Sequence, residues 1–448
     1  MSRSPQQVRP TLLYHLYCGA TALMAPLAWT KVAAKLRDYG LPEARVRERL
    51  GHASLPRPEG RLVWFHAASV GESLSVLTLI HRLGQTAPDL EFLITSGTPT
   101  SAELIAKRLP PRTRHQFPPL DSVAAVDRFL HHWQPDLGIF VESELWPHML
   151  VRARGAGVPL VLLNARLSPK SVARWQKRPA TARFLLDQFT LMLTQNAATA
   201  QNLRSIGAAP ERVEEGSNLK AVSDPLPVDQ DTLSQMQEAL AGRPVWIASS
   251  THAGEEETVL AAHKALLSDH PDLLLLLAPR HPNRGDAVAA LVADAGLSCA
   301  RRSIQPPPDA PLPEPGTQVY LADTLGEVGT WYALCPLVFL GGSLHDIGGH
   351  NPFEVIQAGG AVLTGPGAYN FAESFAELTS LGAAVEITGA DTLAAALDSW
   401  LRQPATLEAA QARGREFLAR QSDRMDQTLS TLLTHLPPPD RDAPHAPH

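Results

Sequence analysis

Three carboxylates and one arginine, each at the end of a short apolar run, are the residues in this sequence best suited to chemistry. Glu72 follows Gly71 in HAASVGES, Glu142 and Glu144 lie in VESELWP, and Arg280 closes the leucine run of DLLLLLAPR. A carboxylate within hydrogen-bond reach of a hydroxyl can act as a general base, and an arginine presents a fork of donors that matches a phosphate. Each has a plainer reading: Glu72 as the first-turn partner of a helix dipole, Arg280 as half of a structural salt bridge. Glu142 and Glu144 sit one residue apart around Ser143, so a continuing strand would send them to opposite sides. One is then expected to enter the site and the other to cap the next helix. The stretch GGSLHDIGGHNPFE, residues 341–354, adds two glycine pairs and Pro352, which suits the first turn of a helix and leaves nearby amides free for an anion. Glu354 stands where it can accept hydrogen bonds from ribose hydroxyls. The glycine spacing fits neither the dinucleotide fingerprint nor the P-loop, so both readings lose support.

These residues need elements to hold them. RLVWFH, EFLITS, DLGIFV, PLVLLN and FTLMLT are short apolar runs separated by helical patterns, the signature of a doubly wound parallel sheet. A second series, RPVWIAS, DLLLLLA, TQVYLA, PLVFL and AVLTG, follows the Pro- and Asp-rich segment DPLPVDQDTL, which reads as a linker. Four segments are expected: an N-terminal apolar helix over 1–35, a first Rossmann-like domain over 36–222, a second over 223–434, and a disordered tail over 435–448. Two such domains are expected to face a central cleft, with a ligand at the carboxyl ends of the strands. The post-strand loops of the first carry several carboxylates, and those of the second carry Arg280, His281 and glycines. One half is equipped for proton chemistry and the other for an anion.

The length of 448 residues favours two domains. A formal net charge of −6 argues against a nucleic-acid binder. Cys18, Cys299 and Cys335 are too few and too dispersed for a disulfide framework or a zinc site, and fit a reducing compartment. The histidines show no metal-ligand spacing, so no metal is expected. From Leu12 to Trp29 no residue carries a full charge, and Lys31, Lys35 and Arg37 follow. The preferred reading is a membrane anchor or membrane-embedded helix, with the rest of the chain on the cytoplasmic side. The alternative is an apolar helix packed on the body of the protein.

The ordered set HAASVGES, VESELWPHML, NARLS, SNLK, SSTHAGEEE, LAPRHP, DTLGE and GGSLHDIGGHNPFE closely resembles the 3-deoxy-D-manno-octulosonic acid (Kdo) transferases of bacterial lipopolysaccharide synthesis. The resemblance runs from the N-terminal apolar segment to about Gly367 and is looser beyond. It implies a GT-B glycosyltransferase that moves Kdo from CMP-Kdo to a lipid A precursor (lipid IVA) with inversion, at the inner membrane surface and without a bound cofactor. The family's general base falls on Glu72, and its proposed transition-state stabilisers fall on Glu142 and Lys220. Its CMP contacts fall on Arg280 and His281, on Leu325, Gly326 and Glu327, and on Asn351, Pro352, Phe353 and Glu354. The family often has ETELWPN, where Ser143 and His148 stand here in place of Thr and Asn; that bears on acceptor-side detail rather than on the reaction. The alternatives are a GT-B enzyme or epimerase using a UDP-sugar, and a catalytically silent envelope-assembly scaffold.

Overall fold

The computed structural model describes residues 9–305 and 310–438. The chain divides into two compact units, Met1–Ser223 with Gln421–His448, and Asp224–Arg420. Each is built on a seven-stranded sheet in which every pairing is parallel.

In the first unit the strands are β1 (Arg61–His66), β2 (Leu90–Thr95), β3 (Thr113–Gln116), β4 (Leu137–Val141), β5 (Leu160–Ala165), β6 (Leu191–Thr194) and β7 (Val213–Glu215), in the order β3-β2-β1-β4-β5-β6-β7. Helices cover both faces, so side chains on both must be apolar. Alternate residues of β1 divide accordingly: Leu62 and Trp64 pack with Phe129, Trp133 and Phe140, while Val63 and Phe65 pack with Phe92 and Ile94. The strand order reverses between β1 and β4. The crevice at their carboxyl ends is where a doubly wound sheet binds ligand, and the residues there are His66–Glu72 and Val141–Glu144.

In the second unit β8 (Val245–Thr251), β9 (Leu274–Pro279), β10 (Cys299–Arg301), β11 (Val319–Leu321), β12 (Leu337–Leu340), β13 (Ala361–Thr364) and β14 (Ala384–Glu386) run in the order β10-β11-β9-β8-β12-β13-β14. Reversal falls between β8 and β12. Their carboxyl ends lead into Ser249–His252 and the glycine-rich turn.

Two expectations change. The N-terminal helix runs from Leu12 to Asp38, through Pro26 and the basic flank, and no helix among the described residues is long and apolar enough to cross a membrane. A polar edge ties it to the first unit instead. Tyr17 donates to Asp121 at 2.6 Å, Thr21 Oγ1 meets His148 Nε2 at 2.8 Å, and Thr11 meets Thr181 at 3.0 Å. Below them Ala33 and Leu36 bury against Val46 and Phe117. The opposite face leaves Leu12, Leu16, Leu23, Met24 and Leu27 exposed. The second change is at the other terminus. The helix Pro404–Thr434 belongs to the second unit only as far as Arg420. From Gln421 the chain packs on the first, burying Met425, Leu429 and Leu432 of the helix and Leu436 just beyond it against the β1 and β2 face. That amphipathic stretch has its apolar partners far away in sequence. The expected tail falls largely on residues 439–448, outside the described residues.

Candidate functional site

At the switch point of the first unit, Ser69 caps the helix Val70–Ser75 by accepting from the Glu72 amide at 3.2 Å. Glu72 reaches back, accepting from Ser69 Oγ at 2.7 Å and from the Ala68 amide at 2.9 Å. The motif is a variant of the capping box, so the plainer reading of Glu72 holds in full. Gly71 lies inside this helix with open space around it and needs no special backbone angle. The capping bonds still leave lone pairs on both carboxylate oxygens. Burial raises the Glu72 carboxyl above its ordinary pKa; the Ser69 hydrogen bond opposes this, and repulsion from Glu142 and Glu144 adds to it.

Strand β4 ends at Val141. Glu142 then takes φ 58°, and on the neighbouring strand Asn164 takes φ 54°. A left-handed backbone at a non-glycine residue is uncommon and clusters at functional sites. Here it turns Glu142 onto Lys220, Oε1 to Nζ 3.0 Å, and lets Asn164 Oδ1 accept from the Leu219 amide at 3.3 Å. Lys220 belongs to a short turn after β7, whose preceding residues Ser217 and Asn218 donate to the backbone and side chain of Gln421. Because the strand does not continue, Glu142 and Glu144 do not divide as expected. Glu144 caps nothing; it sits 3.4 Å from His66 Nε2 and accepts from Trp146 Nε1. Burial would raise its pKa, but the His66 and Trp146 contacts hold it below its ordinary value. The helix that follows, Pro147–Gly155, is capped by Asp121, which accepts from the His148 and Met149 amides. Glu72, Glu142 and Glu144 thus share one electrostatic neighbourhood, with Lys220 as its cation and His66 as a partner sequence reasoning had passed over.

The second unit assembles a different chemistry. The first amides of the glycine-rich turn, those of Gly342, Ser343 and Leu344, are not kept for a ligand, because Glu255, fully buried at the start of the helix Glu255–Leu266, takes them. Its Oε1 accepts from Ser343 and Leu344, both at 2.9 Å. Its Oε2 accepts from Gly342 at 2.7 Å and His252 at 2.9 Å. His252 is a local partner, three residues before, but the three amides of the turn lie almost ninety residues away, so the sequence around GEEE does not mark Glu255 as their acceptor. The turn is further constrained at Gly348 and Gly349, with φ 112° and 76°, where a Cβ would meet Asn370 and Ala368.

What faces outward near this turn is Arg280. It is exposed and, among the described residues, forms no ion pair. Its charge is felt at Glu354, His350 and His252. Burial raises the Glu354 carboxyl, while Asn351 Nδ2, donating at 3.2 Å, and Arg280 oppose the rise. Asn351 also caps the helix Pro352–Gln357 by accepting from the Phe353 amide at 3.1 Å. Pro352 and Phe353 are themselves buried, Phe353 stacked on Phe417, and with Pro352 lacking an N–H and the Phe353 amide given to Asn351, the two shape the start of the helix. His281 lies edge-on to His252 at 5.7 Å. Leu325 is 79% exposed and Gly326 has φ 88°. Glu327, in the same loop, is held by Arg302 at 2.6 Å and by Thr324.

A family profile described as 3-deoxy-D-manno-octulosonic-acid transferase (kdotransferase) matches residues 44–223. A 3-deoxy-D-manno-octulosonic acid transferase of Haemophilus influenzae is 34% identical over 403 residues, covering 88% of this chain and 92% of that protein. A probable mitochondrial 3-deoxy-D-manno-octulosonic acid transferase of Arabidopsis thaliana is 38% identical over 361 residues, 79% of each. Among solved structures, a UDP-GlcNAc 2-epimerase from Neisseria meningitidis bound to UDP-GlcNAc aligns with TM-score 0.55 and 13% identity, over 83% of this chain and all of that one. A glycosyltransferase from Rickettsia africae aligns with TM-score 0.53 and 10% identity, over 84% and 99%. At such identities these neighbours establish the two-domain GT-B fold alone.

Proposed function

The chain belongs to the 3-deoxy-D-manno-octulosonic acid (Kdo) transferase family, and from that premise we propose that it moves Kdo from CMP-Kdo to a hydroxyl of a lipid A precursor, lipid IVA, in lipopolysaccharide core synthesis, with Glu72 as base. It is a Kdo-transferring glycosyltransferase. The observation that carries the assignment of Glu72 is its carboxyl, raised by burial beside Glu142 and Glu144 at the first unit's switch point. A base with a raised pKa takes a proton more readily in the transition state. In the proposed step the acceptor hydroxyl oxygen bonds to the anomeric carbon as the bond to the CMP phosphate breaks. CMP leaves with the electron pair, the hydroxyl proton passes to Glu72, and the anomeric centre inverts. The Lys220 and Glu142 pair supplies fixed charge near the reacting hydroxyl. Arg280 and His281 meet the phosphate, Asn351 and Glu354 the ribose, with Leu325–Glu327 completing the nucleotide contacts and Pro352 and Phe353 shaping the wall that carries Asn351 and Glu354. The reaction so drawn calls for no cofactor, because a guanidinium can balance the departing anion.

The amphiphilic acceptor accounts for the exposed leucine face of the N-terminal helix. Leu12, Leu16, Leu23 and Leu27 are exposed on that face and Lys31 follows; exposed apolar side chains followed by a cation suit contact with lipid and its acidic headgroups. That face supports an enzyme peripheral to a membrane, and the proposed reading puts it on the cytoplasmic side of the inner membrane. The deciding experiment incubates the protein with CMP-Kdo and a tetraacylated lipid A precursor, alongside Glu72→Gln, and reads product mass. Increments of one or more Kdo units, lost in the variant while CMP still binds, are expected. Increments only with UDP-sugars would move the assignment to another GT-B activity, and none with any donor would favour a silent scaffold.

A further inference from the structure

The second unit holds a side-chain pair that the proposed reaction leaves unused. His252 follows β8 and His350 closes the glycine-rich turn, with Nε2 of one 3.0 Å from Nε2 of the other and ring planes within 8°. Two imidazole nitrogens at that distance need one N–H and one lone pair, so a single proton lies between them. The groups facing them come from several elements. Arg280 and His281 follow β9, and Glu255 and Glu256 open the helix Glu255–Leu266. His345 lies against Gly254, and Glu354 stands in the field of Arg280. Neither nearby glutamate of that helix is available to balance a charged imidazole. Glu255 is taken by four amides, and Glu256 is paired with Arg284 at 2.5 Å. Burial first, then the charge of Arg280, pushes His350 down to about 4; burial likewise lowers His252.

We propose that His252 and His350 form a proton-coupled anion receptor beside Arg280, which opens to direct two Nε2–H donors at one acidic oxygen of the nucleotide-sugar donor. This rests on the donor reading above. Burial first, then the charge of Arg280, keeps the imidazoles neutral; an anion paired with Arg280 offsets the second of these and supplies the acceptor that a second N–H requires. One proton enters from solvent, the N–H···N bond breaks and two N–H···O bonds form; no other bond changes. CMP-Kdo carries acidic oxygens of two kinds, on its phosphate and on its sugar carboxylate, and either meets this chemistry. Because the complex holds one proton more than the free partners, affinity falls as pH rises, by up to about tenfold per pH unit.

Isothermal titration of the full chain at pH 7, in two buffers of different ionisation enthalpy, reads the proton directly. The ligands are CMP and CMP-Kdo. Net uptake approaching one proton is expected, lost in His350→Gln and His252→Gln together with about a tenfold fall in affinity. Uptake with CMP assigns the phosphate as the occupant; uptake only with CMP-Kdo assigns the carboxylate. The phosphate of CMP itself sheds a proton on meeting a cation, which has the opposite sign and does not mimic uptake. Wild-type protein that binds CMP-Kdo with no net uptake overturns the proposal and leaves the donor reading standing, as does uptake undiminished in both variants. Wild-type protein that binds neither nucleotide sinks the donor reading and this proposal with it.

Discussion

Removing the Glu255 carboxylate tests how the glycine-rich turn is held. Four backbone amides donate to it, from His252, Gly342, Ser343 and Leu344, at 2.7 to 2.9 Å, and the side chain is fully buried. A hydrogen bond to a charged group is worth about 1.5–3 kcal/mol, and a buried donor left without a partner costs about 1–3 kcal/mol. Leu344 and His252 are only partly buried, so water can recover some of the loss, and Glu255→Ala is expected to cost about 3–5 kcal/mol. Glu255→Gln keeps the shape but turns an NH₂ against two amide donors, and about 2–4 kcal/mol is expected. Unfolding of the second unit, followed in urea, measures the loss. Amide hydrogen exchange at Gly342, Ser343 and Leu344 measures whether it is local, with protection falling at those three before β12. A Glu255→Ala protein within 1 kcal/mol of wild type, with those amides still protected, would refute the account and restore the turn as an open anion cradle.

The Lys220 and Glu142 pair is partly buried, with side chains 24% and 13% exposed. Lys220→Met should therefore lower kcat by about a hundredfold, as loss of a fixed transition-state charge does, and raise sensitivity to urea; activity within twofold of wild type would remove Lys220 from the reaction. Asp121→Ala removes the acceptor for His148, Met149 and Tyr17, and should cost about 1–2 kcal/mol, with faster proteolysis of the N-terminal helix; unchanged proteolysis would mean its apolar contacts alone hold it. Acid should destabilise both units. Burial lowers His115 to about 3 and His263 to about 4, and His350 is likewise held down. The unfolded chain takes up these protons near pH 6.5 and the folded chain only near pH 3 to 4, so stability falls as pH drops through that window. Each fully buried histidine contributes at most about 1.4 kcal/mol per pH unit. Thermal melts between pH 7 and 4.5 check the sign, and His115→Gln should flatten the slope.

What the sequence determined here was local and periodic. Continuous apolar runs such as LGIFV and LLLLAP can be buried on both faces only in a parallel sheet, so two doubly wound domains were legible, with their chemistry in the post-strand loops. The order of whole motifs carried the resemblance to the family. Tertiary structure decided whatever depended on partners remote in sequence. The Leu12–Trp29 segment reads as a membrane anchor, with a packed helix as the alternative, until Tyr17 and Thr21, with Thr11 before them, find Asp121, His148 and Thr181. Nothing in GGSLHDIGGHNPFE shows that the amides of Gly342, Ser343 and Leu344 are committed until Glu255 occupies them. Glu142 and Glu144 alternate only while a strand continues, and φ 58° at Glu142 ends it. Gln421 onward looks like the close of the second domain until Met425 and Leu432 bury on the first. Periodicity reports which face of an element is apolar, because that preference is carried by the residues themselves. Which carboxylate meets which amide is a property of distance in space, and it exists only once the chain has folded.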